Sequence, residues 1–439
     1  MKKRAPHEVL KDYTPEIPGK GISFLMRALI FFMNAPAPAK FVYNYDKKAL
    51  KRKPVLIIAA HASRDDYKYV IHGYRQANPN IITGYHSMLK PGLFQIMMKC
   101  GVIPKTLYEP CPSAVKSILR LKKEGASFLL FPEGIQSMCG REHPLRPDTG
   151  KLVKKLGLDV VVATSRGAYL SCPRYNPKNA RGKIVYTFDH VFTPEDLKDL
   201  DPAEIERVLS NKLTYNDFIS NEKPRYRYRH AQGNASGLDN LLIVCPLCKK
   251  EFTMKTEGRE IVCECGSRVR IGDDYSLTPS VTISEFPIAR LDEWYDFQCE
   301  FIKNEALKEG FRLSYECNHN TFDMASGSKT MKRMLGSGTL TLTREGLTYK
   351  GDDKETAYPP YSPPPSSRDS DTLQDGFNLF FPIEKVPSAP FIGGRGNEFY
   401  FENCYHEFII TDDRRKAVKM LTAVESLYER KQNDKLNSI

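Results

Sequence analysis

His61 stands directly after the apolar run Val55-Leu56-Ile57-Ile58-Ala59-Ala60, and two carboxylates follow it in Ala62-Ser63-Arg64-Asp65-Asp66. Histidine is the side chain best poised to accept a proton near neutral pH. A carboxylate bonded to its second ring nitrogen fixes the tautomer and stabilises the imidazolium that forms. Such a pair suits general-base activation of a hydroxyl. Downstream, Phe131-Pro132-Glu133-Gly134 ends a second apolar run, with Glu133 72 residues after His61. A glutamate at a strand end presents a carboxylate to a polyol, and the adjoining glycine permits close backbone approach. A third reactive group, Cys245-Pro246-Leu247-Cys248 with Cys263-Glu264-Cys265, offers four thiolates in two close pairs separated by fourteen residues. That pattern suits a closed tetrahedral zinc site on a two-hairpin ribbon.

These side chains need elements to hold them. Residues 50–190 alternate β-like runs with helical stretches: 55–60 and then a helix from about Ser63, a helix over 114–123 before 127–131, and a helix over 151–156 before 160–164. This is the pattern of an α/β domain. It places His61 in the turn after a strand. With Ser63 as N-cap, the first helical turn folds a carboxylate back toward the ring. Asp65 in that turn is accounted for by the helix dipole.

The His-x4-Asp spacing of His61 and Asp66, followed in order by Phe131-Pro132-Glu133-Gly134, resembles the glycerolipid acyltransferase superfamily, to which lysophosphatidate acyltransferases belong. The resemblance covers the α/β domain, residues 41–235, and selects Asp66 as the partner of His61. It implies transfer of a fatty acyl group from acyl-CoA or acyl carrier protein to the hydroxyl of a lysophospholipid. The leading acceptor is 1-acylglycerol-3-phosphate, attacking directly, with Glu133 and Gly134 at its binding site. Where the family carries a glycine, an apolar pair and an arginine, this chain has Gly101-Val102-Ile103-Pro104-Lys105. Lys105 is the nearest cation for a phosphate, a point charge without arginine's fork, and Arg64, Lys90 and Lys99 compete with it. Three departures mark the chain: Ala60 in place of an asparagine, Ile135-Gln136 in place of Thr-Arg, and 160–162 without flanking prolines. Altered motifs of this kind also suit a non-catalytic membrane adaptor; the intact His61 and Asp66 oppose that reading.

The chain's 439 residues, 41% of them hydrophobic, can bury a sizeable core in two to three domains at roughly 150 residues each. Its formal charge of +12 is uneven, with twelve Lys or Arg against four Asp or Glu in residues 1–60. That favours an anionic partner. Residues 22–33 are apolar around most of a helix, yet at about 18 Å they fall short of the roughly 30 Å hydrocarbon core. The expectation for residues 1–40 is therefore a basic segment with a helix lying in the interface of an anionic membrane; a buried core helix is the alternative. Glu8, Asp12, Glu16 and Arg27 argue against a signal peptide. Eleven cysteines fit a reducing compartment, so the expected address is the cytoplasmic face of a membrane, peripheral or monotopic.

Beyond a basic stretch at 223–237, a zinc ribbon is expected over 240–278 and a helical linker over 279–330. Residues 331–439 read as an α+β domain with strands near 339–343, 346–349, 377–381 and 398–401 and an amphipathic helix over 412–430. That order resembles a pleckstrin-homology-like (PH-like) barrel. The Pro-, Ser- and Asp-rich residues 358–371 read as a mobile loop. Lys249, Lys250, Arg259, Arg268 and Arg270 surround the cysteines. With few aromatics interleaved, an intramolecular brace is favoured over nucleic-acid binding.

Overall fold

The computed structural model of the protein describes residues 10, 13–34, 38–89, 94–176, 178–280, 286–325, 329–353 and 377–436. The stretch read above as a mobile loop, 358–371, lies outside these residues, as does Lys90.

Seven strands form the first sheet: β1 (Ala39–Tyr43), β2 (Val55–Ala59), β3 (Asn80–Gly84), β4 (Ile103–Lys105), β5 (Phe128–Leu130), β6 (Asp159–Arg166) and β7 (Ile184–Phe192). Their order is β1-β7-β6-β2-β5-β3-β4, and every neighbouring pair is parallel except β6 and β7. β2 is buried along its whole length, as a central parallel strand covered on both faces must be. Because β2 and β5 pair with Ile58 opposite Leu130, the turns that follow them, carrying His61 and Glu133, leave the sheet side by side. The strand's carboxyl edge is where open α/β sheets bind ligands.

Six helices matter below: α1 (Lys20–Asn34), α2 (Asp66–Gly73), α3 (Pro112–Lys123), α4 (Thr149–Leu156), α5 (Leu291–Ala306) and α6 (Lys416–Leu436). α1 is not a core helix. Phe24, Leu25, Leu29, Phe31 and Phe32 are all more than half exposed. Its inward face instead carries Arg27, whose guanidinium donates to the carbonyls of Ile71, Tyr74 and Ala77 and to Asn78 Oδ1. Carbonyls at the end of a helix lack intrahelical partners, and Arg27 supplies a partner for α2. Among the described residues no helix is long and apolar enough to cross a membrane.

The cysteine-bearing segment folds into four short antiparallel strands, β8 (Met254–Glu257), β9 (Glu260–Cys263), β10 (Arg268–Ile271) and β11 (Leu277–Pro279). Trp294 of α5 donates its indole N–H to Val244 O, and Gln298 bonds both Ile243 N and Leu241 O. On the opposite flank Tyr228 N–H donates to Asp273 O, and Tyr275 OH donates to Leu170 O in the first domain. The module is thus wedged between the α/β domain and the C-terminal part of the chain. Arg259 is paired with Asp273, and Arg268 with Glu257 and Glu260.

The third sheet contains β12 (Leu313–Ala325), β13 (Lys329–Leu342), β14 (Gly346–Gly351), β15 (Phe377–Pro382), β16 (Gly396–Phe401) and β17 (Cys404–Ile410). It is antiparallel, in the order β15-β14-β13-β12-β17-β16, and α6 packs on it through Ala417, Met420, Leu421 and Val424. The helical linker expected over 279–330 is corrected here, since β12 occupies its second half. Leu313, Tyr315, Cys317 and His319 alternate inward. Polar side chains at inward positions of that strand, His319 and Thr321, obscure the period-2 signal in the sequence.

Candidate active site

The site begins with the turn that leaves β2. Its backbone is fixed on both sides: Ala60 N–H donates to Ala163 O of β6, and Ser137 N–H donates to His61 O. His61 N–H donates to Glu133 Oε1 at 2.7 Å. The imidazole Nδ1 lies 3.1 Å from Asp66 Oδ2, with the histidine side chain a quarter exposed and the aspartate fully buried. Asp66 also accepts from Ser63 N–H (2.7 Å), Ser63 Oγ (2.9 Å) and Tyr186 OH (2.5 Å). Donors of this kind offset the cost of burying a carboxylate. They leave one Asp66 oxygen aimed at the ring. With Nδ1–H donated to Asp66, Nε2 keeps its lone pair. The Phe131 ring packs 4.7 Å from the imidazole centroid.

α2 starts at Asp66, three residues later than the Ser63 start expected. Ser63 does not cap it through a bond to the helix interior; its N–H and hydroxyl are both held by Asp66, which resembles half of a capping box. Asp65 does not rest on the helix dipole alone. It pairs with Lys68 at 2.5 Å and accepts from Asn179 Nδ2 at 2.7 Å. Asp65 is thereby directed away from His61.

Glu133 is placed differently from the expectation that it meets the acceptor. Its side chain is wholly buried. Oε1 accepts from His61 N–H and Oε2 from His143 N–H at 2.8 Å. Burial pushes this carboxyl up to about 8, against the opposing pull of the two backbone N–H groups. Glu133 therefore braces the histidine turn instead of lining an open surface. Gly134 has φ +77, and an added Cβ would come within 2.9 Å of Arg146 Nε, so both conformation and space require glycine there.

No motif in the sequence points to Arg146. Its Nε donates to Glu133 O at 3.1 Å, and its guanidinium lies 4.1 Å over the Tyr108 ring. Lys105, at the end of β4, is half-buried; burial lowers its pKa, and Arg146 is among the charges that act on it. The structure thus places Arg146 against the Phe-Pro-Glu-Gly turn, with Lys105 within its electrostatic reach. The sequence signal for Arg146 is faint because it lies twelve residues beyond Gly134, across a Pro-punctuated loop. His143, between them, has its Nε2 buried without a hydrogen-bond partner among the described residues. Burial, with Arg146, Arg174 and Arg141 nearby, pushes it down to about 3. Arg64 does not join Lys105. It donates to Asn179 Oδ1 (2.6 Å) and Asn176 O (3.3 Å). Lys99 is exposed in the short helix Phe94–Lys99.

The four cysteines converge. Their sulfurs lie within 4.8 Å of one another, with Cys245–Cys265 at 3.9 Å and Cys248–Cys263 at 3.7 Å. A tetrahedron with Zn–S bonds of about 2.3 Å has edges of about 3.8 Å. The donor set and its spacing therefore fit structural zinc.

Among curated proteins no match is found. Among solved structures, the chain is similar to the 1-acyl-sn-glycerophosphate (LPA) acyltransferase PlsC from Thermotoga maritima, at 19% identity over 44% of this chain and 77% of that one, with a TM-score of 0.36. Residues 41–165, which span β1 to nearly the end of β6 and hold His61, Asp66, Lys105, Glu133 and Arg146, match the family model described as Acyltransferase. The first sheet and its helices therefore form an acyltransferase-like α/β domain.

Proposed function

We propose that the protein is a glycerolipid O-acyltransferase that moves a fatty acyl group from acyl-CoA or acyl carrier protein to the hydroxyl of a lysophospholipid, with 1-acylglycerol-3-phosphate as the leading acceptor. The observation that carries this reading is the His61–Asp66 pair, held at 3.1 Å within a domain of the acyltransferase family. In the reaction His61 Nε2 takes the proton of the acceptor hydroxyl while its oxygen attacks the thioester carbonyl carbon. The C–S bond then breaks, and the proton leaves with the thiolate as free thiol. Asp66, fixed by Ser63 and Tyr186, stabilises the transient imidazolium. Lys105 and Arg146 meet the acceptor's phosphate, Arg146 in place of the arginines absent from the motifs themselves.

Around this chemistry we assign structural zinc to Cys245, Cys248, Cys263 and Cys265, and a PH-like character to the third sheet with α6. The working location is the cytoplasmic face of an anionic membrane, through α1. The test is thiol release from acyl-CoA, or free carrier from acyl carrier protein, across lysophospholipids and glycerol phosphate, with His61→Ala alongside. Acceptor-dependent release that falls by roughly 10²–10⁴ in the variant supports the reading. Absence of release with every acceptor, from folded protein, overturns it in favour of an adaptor.

A further inference from the structure

The described parts of the connection between β3 and β4, residues 85–89 and 94–102, are roofed by the C-terminal domain. Tyr85, Met88, Leu89, Phe94, Cys100 and Val102 form a hydrophobic cluster with Phe322, Tyr400 and Tyr405, separate from the main core. The polar contacts converge on one residue, His86. Its backbone N–H donates to Tyr400 OH at 3.1 Å, and its Nδ1 lies 2.7 Å from the same hydroxyl. The Tyr405 ring stacks on the imidazole at 5.5 Å, inclined by 6°. On either side Tyr85 OH donates to Asn403 O (3.1 Å), and Asn403 N–H donates to Glu109 Oε2 (2.9 Å). The β16–β17 hairpin thus grips the acyltransferase-like domain both at the start of the β3–β4 connection and after β4 ends.

The grip leads to the site in two steps. The His86 ring folds back over Gly84, where an added Cβ would lie 2.7 Å from two ring atoms. Gly84 is the register partner of Lys105 across β3 and β4. Among the described residues β4 is a three-residue edge strand paired with β3 alone, so its few hydrogen bonds hold Lys105 weakly by themselves.

We propose that Tyr400 is a positioning residue for the acceptor site, clamping His86 and through it the β3–β4 edge that carries Lys105. The inference rests on the acyltransferase reading for its functional consequence, and on the contacts alone for the clamp. The C-terminal domain is then an integral part of the acyltransferase site, not a separately recruited module. Removing only the hydroxyl, as in Tyr400→Phe, deletes both bonds to His86 while the ring continues to fill the cluster.

The experiment uses the full chain and compares wild type, Tyr400→Phe and, as a tyrosine control away from the clamp, Tyr226→Phe. Two readouts are taken: acceptor KM and kcat with 1-acylglycerol-3-phosphate, and hydrogen exchange of amides in residues 94–105. The clamp predicts faster exchange there in Tyr400→Phe alone, with acceptor KM raised roughly three- to tenfold, the scale of one or two lost hydrogen bonds, and kcat within about twofold. Unchanged exchange overturns the clamp, whatever the activity. Faster exchange with unchanged KM overturns its link to the acceptor. Should wild type itself transfer no acyl group, the functional reading falls, and exchange alone still decides the clamp.

Discussion

At the scale of single residues, the buried Glu133 carboxylate ties the second motif to the first, through His61 N–H. His61 and Asp66 are paired by a turn and a helix start that bring positions five apart together. The importance of Glu133 is visible in the sequence, but its task is not. Nothing in Phe-Pro-Glu-Gly says that the carboxylate turns inward to accept from His61 N–H and His143 N–H; that depends on β2 and β5 being neighbours, a long-range fact. The inward placement has a consequence for pH. A carboxyl held near 8 in the folded protein and near 4.5 when unfolded binds its proton more tightly in the folded state. Its stabilising contribution is complete below about pH 4.5 and is lost as pH rises through 8. Glu133→Gln does not titrate. The melting temperature of wild type minus that of Glu133→Gln should therefore decline steadily between pH 5 and 8. A difference that stays flat, or climbs, across that window would mean that Glu133 is ionised throughout.

At the scale of elements, strands and helices with clean periodicity were readable: 55–60, 114–123 and 151–156 correspond to β2, α3 and α4. β12 is hidden in the sequence because its inward positions include polar His319 and Thr321, whose partners here lie on β17: His319 bonds His406, and Thr321 Oγ1 donates to Tyr405 O. The convergence of the four cysteines is readable in the sequence, because ligand spacing is a local constraint. The zinc proposed there would give their module a local source of stability. Strands of three or four residues with few buried side chains cannot hold a fold by hydrophobic burial alone, whereas a tetrahedral thiolate site contributes folding free energy directly. Elemental analysis should give one zinc per chain in wild type and substantially less in Cys263→Ser. In that variant proteolytic cleavage should appear first within 244–279, while a strong chelator reproduces the pattern in wild type. Retention of full protease resistance by metal-free protein would show that packing against α5 alone suffices.

At the scale of the whole molecule, the sequence indicated that separate units exist but not how they meet. Lys419 of α6 is buried between Glu251 of the cysteine-bearing module and Glu305 of α5, at 2.6 and 2.7 Å, a three-way tie that no local pattern announces. The outer surface is equally non-local in its logic. α1 places five large apolar side chains outward, Phe24, Leu25, Leu29, Phe31 and Phe32, while Arg27 secures its other face to the end of α2. At 15 residues α1 is too short to cross a bilayer; in the membrane location proposed above, its apolar face would lie in the headgroup boundary, where basic residues nearby would add attraction to anionic lipid. Phe24 and Phe32 are 76% and 72% exposed, so replacing both with aspartate should leave thermal unfolding nearly unchanged. Losing their insertion forfeits about 1.5–3 kcal/mol each at full burial, enough to weaken partitioning onto phosphatidylglycerol-containing vesicles by roughly a hundredfold or more. Sedimentation with such vesicles measures it: wild type should pellet and be partly released by salt, and the Phe24→Asp, Phe32→Asp double variant should stay in the supernatant at every ionic strength. Equal pelleting of the two proteins would move the membrane contact away from α1.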